Sequence, residues 1–189
     1  MGLLLGDGHI ARRSPTGNSR FIYGQSSTVH EKYFYYVYNM FFPLFFVKDY
    51  KFQTRYEKNK ISNKEYHSLA FTTMQLPCFN YYRDVFYNNG VKFVPLNIYE
   101  LLTPIGLAFW IMDDGSKQGS GLHISVYGFS KEDVDRLMFT LQDKFGLKCS
   151  IHYNRDFKPR IYIFKESMTD LSHLVKPYFI QEMFYKLGI

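Results

Sequence analysis

Two stretches of sequence decide the fold: Gly2-Leu3-Leu4-Leu5-Gly6-Asp7-Gly8 and Leu107-Ala108-Phe109-Trp110-Ile111-Met112-Asp113-Asp114-Gly115. Each stretch runs apolar residues directly into an acidic residue that is followed by glycine. A carboxylate at the end of an apolar helix faces the negative end of the helix dipole, which costs stability. The pattern therefore indicates that Asp7 and Asp114 serve chemistry rather than folding.

The residues downstream of the two aspartates also match each other, which is typical of an internal repeat. In each half a strand-like run ends in Tyr-Gly, at Gly24 and at Gly128. A capping-box pattern then opens a helix at Thr28 and another at Ser130. Further strand-like runs occupy 50–56, 65–71, 148–153 and 160–164, and a closing helix ends each half. The sequence predicts the order helix, strand, strand, helix, strand, strand, helix, twice over, with repeats at 1–98 and 99–189.

These motifs, with the C-terminal segments Lys176-Pro177-Tyr178 and Met183-Phe184-Tyr185-Lys186-Leu187, resemble those of the LAGLIDADG homing endonucleases. The resemblance covers nearly the whole chain, and it is to the single-chain, two-repeat type that yeast mitochondrial introns encode. It implies an α+β fold of two pseudo-symmetric αββαββα repeats that form a saddle of antiparallel sheets. It also implies a monomer that hydrolyses both strands of double-stranded DNA at a long, asymmetric target site.

The resemblance implies a metal site at the ends of the two signature helices. Helices that cross closely need small residues at their contact, and Gly2, Gly6, Gly106 and Ala108 meet that need. Two aspartates brought together by such a crossing repel each other unless a cation offsets their charge, and hard divalent ions prefer oxygen ligands. We therefore expect Mg²⁺, which Mn²⁺ or Ca²⁺ can replace.

The expected metal-site residues are Asp7, Asp114, Gly6 and Asp113. Asp113 stands where the signature has alanine, so a solvated or supporting role is favoured over direct ligation. The alternative for both aspartates is a simple turn before glycine, and their repetition argues against it.

The resemblance also implies that Lys92 and Lys186, at equivalent places near the ends of the two halves, flank the active site and contact phosphate or the attacking water. Gln25, just past a strand of the first half, matches a position where the family often keeps a polar residue that orders water. The alternative for each lysine is a solvated surface amine.

DNA contacts are expected from the strands, because alternation places polar side chains on one sheet face and apolar ones on the other. A two-stranded ribbon fits the major groove, and arginines after Asp7 would add charge near the cut phosphate. An ordinary solvated sheet face is the alternative. The predicted DNA-binding residues are Arg12, Arg13, Arg20, Lys51, Gln53, Arg55, His123, Ser125, Lys148, Ser150 and His152.

Composition agrees with this interpretation without proving it. The net charge of +6 suits an anionic partner. The 2 cysteines, Cys78 and Cys149, are expected to be buried free thiols in a reducing compartment. No apolar run is long enough to span a membrane, so no membrane partner is expected. Enrichment in Phe, Tyr, Asn and Lys is typical of AT-rich genomes and points to an organelle, the mitochondrion before the chloroplast.

A binding module remains the alternative to an endonuclease. Members of the same family also act as maturases, which bind the RNA of their host intron and assist its splicing without cutting DNA. Loss of cleavage usually removes a catalytic carboxylate, and here Asp7 and Asp114 are both present. The sequence therefore favours the endonuclease, with intron RNA as a further candidate partner.

Overall fold

The computed structural model describes residues 1–44, 52–58 and 65–189. Within these residues short helices alternate with antiparallel strands. The α-helices are α1 (Gly2–Leu5), α2 (Glu31–Phe41), α3 (Cys78–Phe86), α4 (Ile98–Leu101), α5 (Pro104–Asp114), α6 (Lys131–Phe139) and α7 (Met168–Val175). The strands are β1 (His9–Arg12), β2 (Ser19–Ser26), β3 (Gln53–Lys58), β4 (Glu65–Thr72), β5 (Tyr87–Asn88), β6 (Val91–Lys92), β7 (Gly115–Gln118), β8 (Gly121–Ser125), β9 (Cys149–Tyr153) and β10 (Pro159–Ile163).

The described residues form two compact units, Asp7–Asp84 and Met1–Gly6 with Val85–Ile189. Each unit contains a four-stranded antiparallel sheet, ordered β1-β2-β4-β3 in one and β7-β8-β10-β9 in the other. This repetition confirms the predicted α+β class, whereas the β5–β6 hairpin and helix α4 are additions that the sequence did not predict. The repeat boundary between residues 98 and 99 stays a prediction, because it concerns the sequence repeat rather than these units.

Aromatic packing holds the sheet of the Asp7–Asp84 unit. Side chains in β2 alternate between buried and half-buried positions, and Phe21 and Tyr23 on the buried side are at most 2% exposed. The rings of Phe21 and Phe41 stack with their centroids 4.5 Å apart, which ties β2 to α2. One face of this sheet is therefore committed to the core.

Helix α5 is the centre of the other unit. Thr103 caps its N-terminus by accepting a hydrogen bond from the Gly106 amide at 3.2 Å, and Pro104 occupies the first turn, where no amide hydrogen is required. Every residue from 106 to 113 is buried. The hydrophobic character of this segment therefore reflects burial on all sides.

Helix α1 has only 4 residues, which is too short to be stable alone in water. It is held by packing against α5, where a Cβ atom on Gly2 would collide with the carbonyl oxygen of Gly106. The predicted need for a small residue at this helix contact is thereby confirmed at Gly2.

Two local expectations are corrected. Helix α2 begins at Glu31 with His30 as its N-cap, so the capping box predicted at Thr28 is wrong. The backbone is still engaged in the sheet there, since the Ser27 amide donates to the His67 carbonyl at 2.9 Å. Cys78 is exposed at the start of α3, whereas Cys149 is buried as predicted. The predicted strand 50–56 is observed from Gln53 onwards, and residues 50 and 51 lie outside the described residues.

Within the described parts of the chain, no helix combines the length and the apolar character that crossing a bilayer requires.

Candidate active site and nucleic-acid interface

The two signature aspartates occupy the ends of their helices. Asp114 is the last residue of α5 and is half-buried, whereas Asp7 follows α1 by a short turn and is exposed. Asp113 is 9% exposed, and its carboxylate lies against the Cα atom of Gly6, because any side chain at Gly6 would collide with it. Asp113 thus packs the two helices together.

Lys186 approaches the C-terminal end of α5 from the last turn of the chain. It is 4% exposed, and its amine donates hydrogen bonds to the carbonyl oxygens of Met112, Asp113 (3.0 Å) and Ile111 (3.5 Å). These carbonyls carry the negative end of the helix dipole. The buried ammonium therefore offsets the charge that would otherwise oppose a carboxylate at Asp114.

Lys92 performs the corresponding contact at α1. It lies on β6 of the β5–β6 hairpin, whose turn residues Asn89 and Gly90 both have positive φ. An Asn-Gly pair favours this turn, although the sequence reading did not include the hairpin. The Lys92 amine donates to the carbonyl oxygen of Gly6 at 3.0 Å. Each predicted lysine thus contacts the end of a signature helix.

A cleft of about 270 Å³ opens beside Lys92 and Asp114. Gly6 lines it from the end of α1, and the segment 125–129 lines it from the end of β8. Lys92 lines this cleft and is half-buried, so its side chain borders a surface that a phosphate group can reach. The structure therefore brings Asp114, Lys92 and Gly6 to one cleft, whereas Lys186 lies buried behind the end of α5.

Gln25 contacts Asp7 in the other unit. Its amide nitrogen donates to Asp7 Oδ2 and, at 3.2 Å, to the hydroxyl oxygen of Tyr23. Gln25 is 7% exposed although it lies on the buried side of β2, where an apolar residue is expected. A buried polar side chain is stable only when it is hydrogen-bonded, and here it holds a carboxylate.

A divalent metal fits the chemistry of these donors. Asp114 presents carboxylate oxygens beside the cleft, and Asp7 presents them at an exposed position. Mg²⁺ is commonly held by one or two carboxylates together with water and substrate phosphates. The aspartates therefore suit the metal that the family resemblance implies.

Polar side chains cover one face of the β7-β8-β10-β9 sheet. The register pairs Ser125 with Arg160, Arg160 with His152, and Tyr162 with both His123 and Ser150. All these residues therefore share a face, and Lys148 precedes β9 with the same alternation. The sequence reading missed Arg160 and Tyr162, although the alternation of Arg160-Ile161-Tyr162-Ile163 would have identified them.

Two histidines on this face contact each other. His123 Nε2 and His152 Nδ1 are 3.2 Å apart, and the His152 ring stacks on Tyr162 with centroids 4.5 Å apart. Burial lowers the pKa of His123, and the nearby His152 and Arg160 lower it further. His123 is thus kept neutral while the surface around it carries positive charge.

This shift predicts a loss of stability in acid. As the pH falls below about 6.5, the ordinary histidine pKa, the unfolded chain takes up a proton at His123 before the folded chain does, so folding is disfavoured. We expect the Tm of the wild type to fall more between pH 7 and pH 5 than that of His123→Gln. Scanning calorimetry measures this difference, with the exposed His173→Gln as the control. Equal losses in wild type and His123→Gln would contradict it.

The sheet of the other unit also has a polar face, and it includes three of the predicted residues. Register places Arg20, Gln53 and Arg55 on the same face, and the last two are exposed. Arg12 lies on the opposite face, where its guanidinium pairs with Asp84 at 3.1 Å. Arg13 is exposed after β1. Lys51 lies outside the described residues.

The thiol of Cys149 has no role in this site. Burial raises its pKa to about 11, against a smaller opposing effect of Gln142. A thiol with so high a pKa stays protonated and is a poor nucleophile or metal ligand at neutral pH.

Known proteins resemble this chain over two thirds or more of its length. The cytochrome b mRNA maturase bI2 of Saccharomyces cerevisiae is 34% identical over 198 residues, which cover 99% of this chain and 46% of the maturase. The intron-encoded endonuclease ai4 of Dictyostelium discoideum is 42% identical over 129 residues, covering 67% of this chain and 80% of that protein. The structure of the homing endonuclease I-WcaI bound to its DNA recognition sequence aligns with a TM-score of 0.88 and 27% identity, over 98% of this chain and 82% of I-WcaI.

The chain spans less than half the length of the yeast maturase but most of the length of the other two proteins. Residues 1–171 match the sequence model of the LAGLIDADG DNA endonuclease family. The resemblance read from the signature helices is thereby confirmed, and the chain belongs to the LAGLIDADG DNA endonuclease family.

Proposed function

We propose that this protein is a site-specific endonuclease that cuts both strands of double-stranded DNA with the help of a divalent metal, Mg²⁺. The observation that carries the proposal is the cleft that holds Asp114 and Lys92 at the edge of a polar sheet face. Ser125 belongs to both the cleft and that face. A duplex bound along the sheet would therefore present its backbone to the cleft.

The sheet faces supply recognition. A polar antiparallel sheet face fits the major groove, where side chains reach base edges, while basic residues contact phosphates. Arg55 and Lys148 are exposed and suited to phosphate, whereas Ser150 and His152 lie deeper in the surface. Specificity over a long, asymmetric site follows from two sheets with different side chains.

Hydrolysis at each strand adds water across one phosphodiester bond. The water oxygen bonds to phosphorus, one P–O ester bond breaks, and the departing oxygen takes up a proton. Mg²⁺ bound at Asp114, with water and the substrate phosphate as its other ligands, would polarise the phosphate and lower the pKa of the attacking water. The Lys92 amine at the cleft stabilises the negative charge that develops on the phosphate. Lys186 holds the C-terminal end of α5, and thereby Asp114, through its hydrogen bonds to the carbonyl oxygens of Met112 and Asp113.

A cleavage assay tests this proposal. The substrate is duplex DNA that carries the exon junction left when the intron encoding the chain is removed, and a scrambled duplex is the control. We expect double-strand cleavage of the junction alone, dependent on added Mg²⁺ and blocked by EDTA. A protein that binds the junction but leaves it intact under all metal conditions would overturn the endonuclease.

Phosphate contacts of the sheets should be measurable through salt. We expect Arg55→Ala and Lys148→Ala each to reduce the slope of log affinity against log salt by about one unit, because each contact displaces a condensed counterion. Fluorescence anisotropy in Ca²⁺ from 50 to 300 mM salt, roughly the range over which this effect is large, provides the slope. Lys131→Ala is the control, since Lys131 is exposed on α6 and pairs with Asp135 at 3.0 Å. An unchanged slope in both sheet variants would remove them from the DNA interface.

The maturase is the second candidate, because the yeast relative is named a cytochrome b mRNA maturase. A-form RNA has a narrow major groove that side chains cannot read, so the polar sheet faces favour duplex DNA. Competition binding in Ca²⁺ distinguishes the two. We expect cognate DNA to bind on the order of 10³-fold more tightly than random DNA. Preference for the host intron RNA, with no discrimination between the two DNAs, would favour the maturase.

We further propose that the protein acts as a monomer in an organelle, the mitochondrion. The two repeats within one chain support the monomer, because each supplies one signature aspartate. The composition and the cytochrome b relative support the location.

A further inference from the structure

Gln25 is held by polar contacts on both ends of its amide. Its nitrogen donates to Asp7 and Tyr23, as described above, and its oxygen Oε1 lies 3.1 Å from Nδ1 of His30. All four residues belong to the Asp7–Asp84 unit. We propose that His30 is a positioning residue for cleavage, which fixes the orientation of the Gln25 amide and through it the carboxylate of Asp7. The inference rests on the proposed endonuclease function.

The chemistry of the three groups allows one orientation of the amide. An ionised carboxylate only accepts hydrogen bonds, so the nitrogen of Gln25 must face Asp7. The oxygen then faces His30, and it accepts a hydrogen bond only if Nδ1 of His30 carries the hydrogen. A group at residue 30 that could only accept would favour the flipped amide, whose oxygen would face and repel the Asp7 carboxylate.

The position of His30 indicates that its side chain is there to contact Gln25 rather than to cap α2. His30 is the N-cap of α2, and its side chain makes no capping hydrogen bond. Ser, Thr, Asp and Asn are preferred at this position because their side chains bond the free amides of the first turn. A histidine that forgoes this bond and contacts Gln25 instead breaks a local rule, which is expected at functional positions.

In the second half of the chain the position that corresponds to Gln25 holds a different residue. The register pairs His9 with Ile22 and Ser116 with His123, and each of the first residues lies two positions after its aspartate. Gln25 lies three residues after Ile22, and Val126 lies three residues after His123, so these two positions correspond. Valine has no hydrogen-bond donor in its side chain, so Asp7 is supported by an amide that Asp114 cannot have from this position.

This difference predicts slower cleavage of one DNA strand only. If each aspartate serves the cut in one strand, loss of the His30 contact slows the cut that depends on Asp7 and leaves the other near its normal rate. Nicked DNA, with the nick always in the same strand, would then accumulate. A general loss of folding or of DNA binding would slow both cuts.

Two variants of nearly equal shape test the inference. In His30→Asn the side-chain nitrogen can replace the Nδ1 donor, whereas in His30→Asp the same position can only accept. Both residues are good N-caps, so α2 remains stable in each. His30→Leu adds a variant with neither a polar group nor a charge.

The assay uses a supercoiled plasmid with one copy of the exon junction, followed by strand-specific labelling. We expect His30→Asp and His30→Leu to slow one strand by at least about tenfold, the rate equivalent of a hydrogen bond to a charged group. We expect His30→Asn to cut both strands at rates close to those of the wild type. Equal behaviour of the Asn and Asp variants, or equal slowing of both strands, would overturn the inference.

A second measurement does not depend on cleavage. The side-chain ¹H–¹⁵N amide pair of Gln25 should show two well-separated signals, slow to exchange with water, in the wild type and in His30→Asn. In His30→Asp these signals should shift and exchange faster. Unchanged Gln25 signals in His30→Asp would overturn the inference, even with a wild-type protein that cuts no DNA. A wild type that binds but does not cut would defeat only the endonuclease proposal.

Discussion

Asp114→Asn is expected to lower the rate of double-strand cleavage by about 10³-fold or more, because the metal and its bound water contribute several kcal/mol at the reacting phosphate. Asparagine keeps the shape of the side chain and removes its charge. DNA affinity should stay within about threefold of wild type, since the sheet faces rather than the carboxylate position the duplex. Single-turnover cleavage in Mg²⁺ gives the rate, and anisotropy in Ca²⁺ gives the affinity.

Asp170→Asn is the matched control, because Asp170 is an exposed carboxylate at the start of α7, away from the cleft. It should cut at the wild-type rate. Asp113→Asn probes the adjacent carboxylate and should act mainly on stability, because that side chain is buried against Gly6. If Asp114→Asn loses cleavage and binding to the same extent in a folded protein, Asp114 is a structural residue.

Lys186→Met is expected to lower the free energy of unfolding by on the order of 3 kcal/mol. Methionine preserves most of the apolar stem but removes the donor for the carbonyls at the end of α5, and buried acceptors that lose their partner are costly. Urea titration followed by circular dichroism measures the loss. Cleavage should fall as well, even below the unfolding temperature, because Asp114 is carried by that helix end.

Lys165→Met serves as the control, since Lys165 is exposed and should change stability by less than about 0.5 kcal/mol. Lys92→Met should lie between the two, because Lys92 is half-buried and contacts one carbonyl. A Lys186→Met protein as stable as the control would show that the helix end does not need the ammonium, and would return Lys186 to the role of a direct phosphate contact.

The signature stretches carry most of what the sequence could predict. An apolar run that ends in Asp-Gly identifies α5, and Gly2 identifies a close helix contact, because a side chain there would collide with the Gly106 carbonyl. Ser130 was correctly predicted as a cap and accepts from the Asp133 amide at 3.2 Å. Thr28 has the same sequence pattern but does not cap α2, because the backbone at Ser27 is still hydrogen-bonded in the sheet. Local capping signals therefore give way where a strand continues.

The side-chain contacts of the site could not be predicted from the sequence. The pattern placed Lys92 and Lys186 near the active site, but only three-dimensional packing shows that their amines bond to helix-end carbonyls. The pairing of Gln25 with His30 likewise depends on how α2 leaves the sheet. Arg160 and Tyr162 differ from these contacts, because their alternation with Ile161 and Ile163 in the sequence is enough to place them on the polar face.

The membership of α1 in the unit Met1–Gly6 with Val85–Ile189 has a consequence for engineering. The simplest chimera would join the first half of one parent chain to the second half of another. Here that exchange would place Gly2 and Gly6 of one parent against the α5 of the other, where there is no room for a side chain at either glycine. A compatible hybrid must therefore inherit its first six residues from the parent that supplies α5, with the crossover after Gly6 rather than only at the centre of the chain.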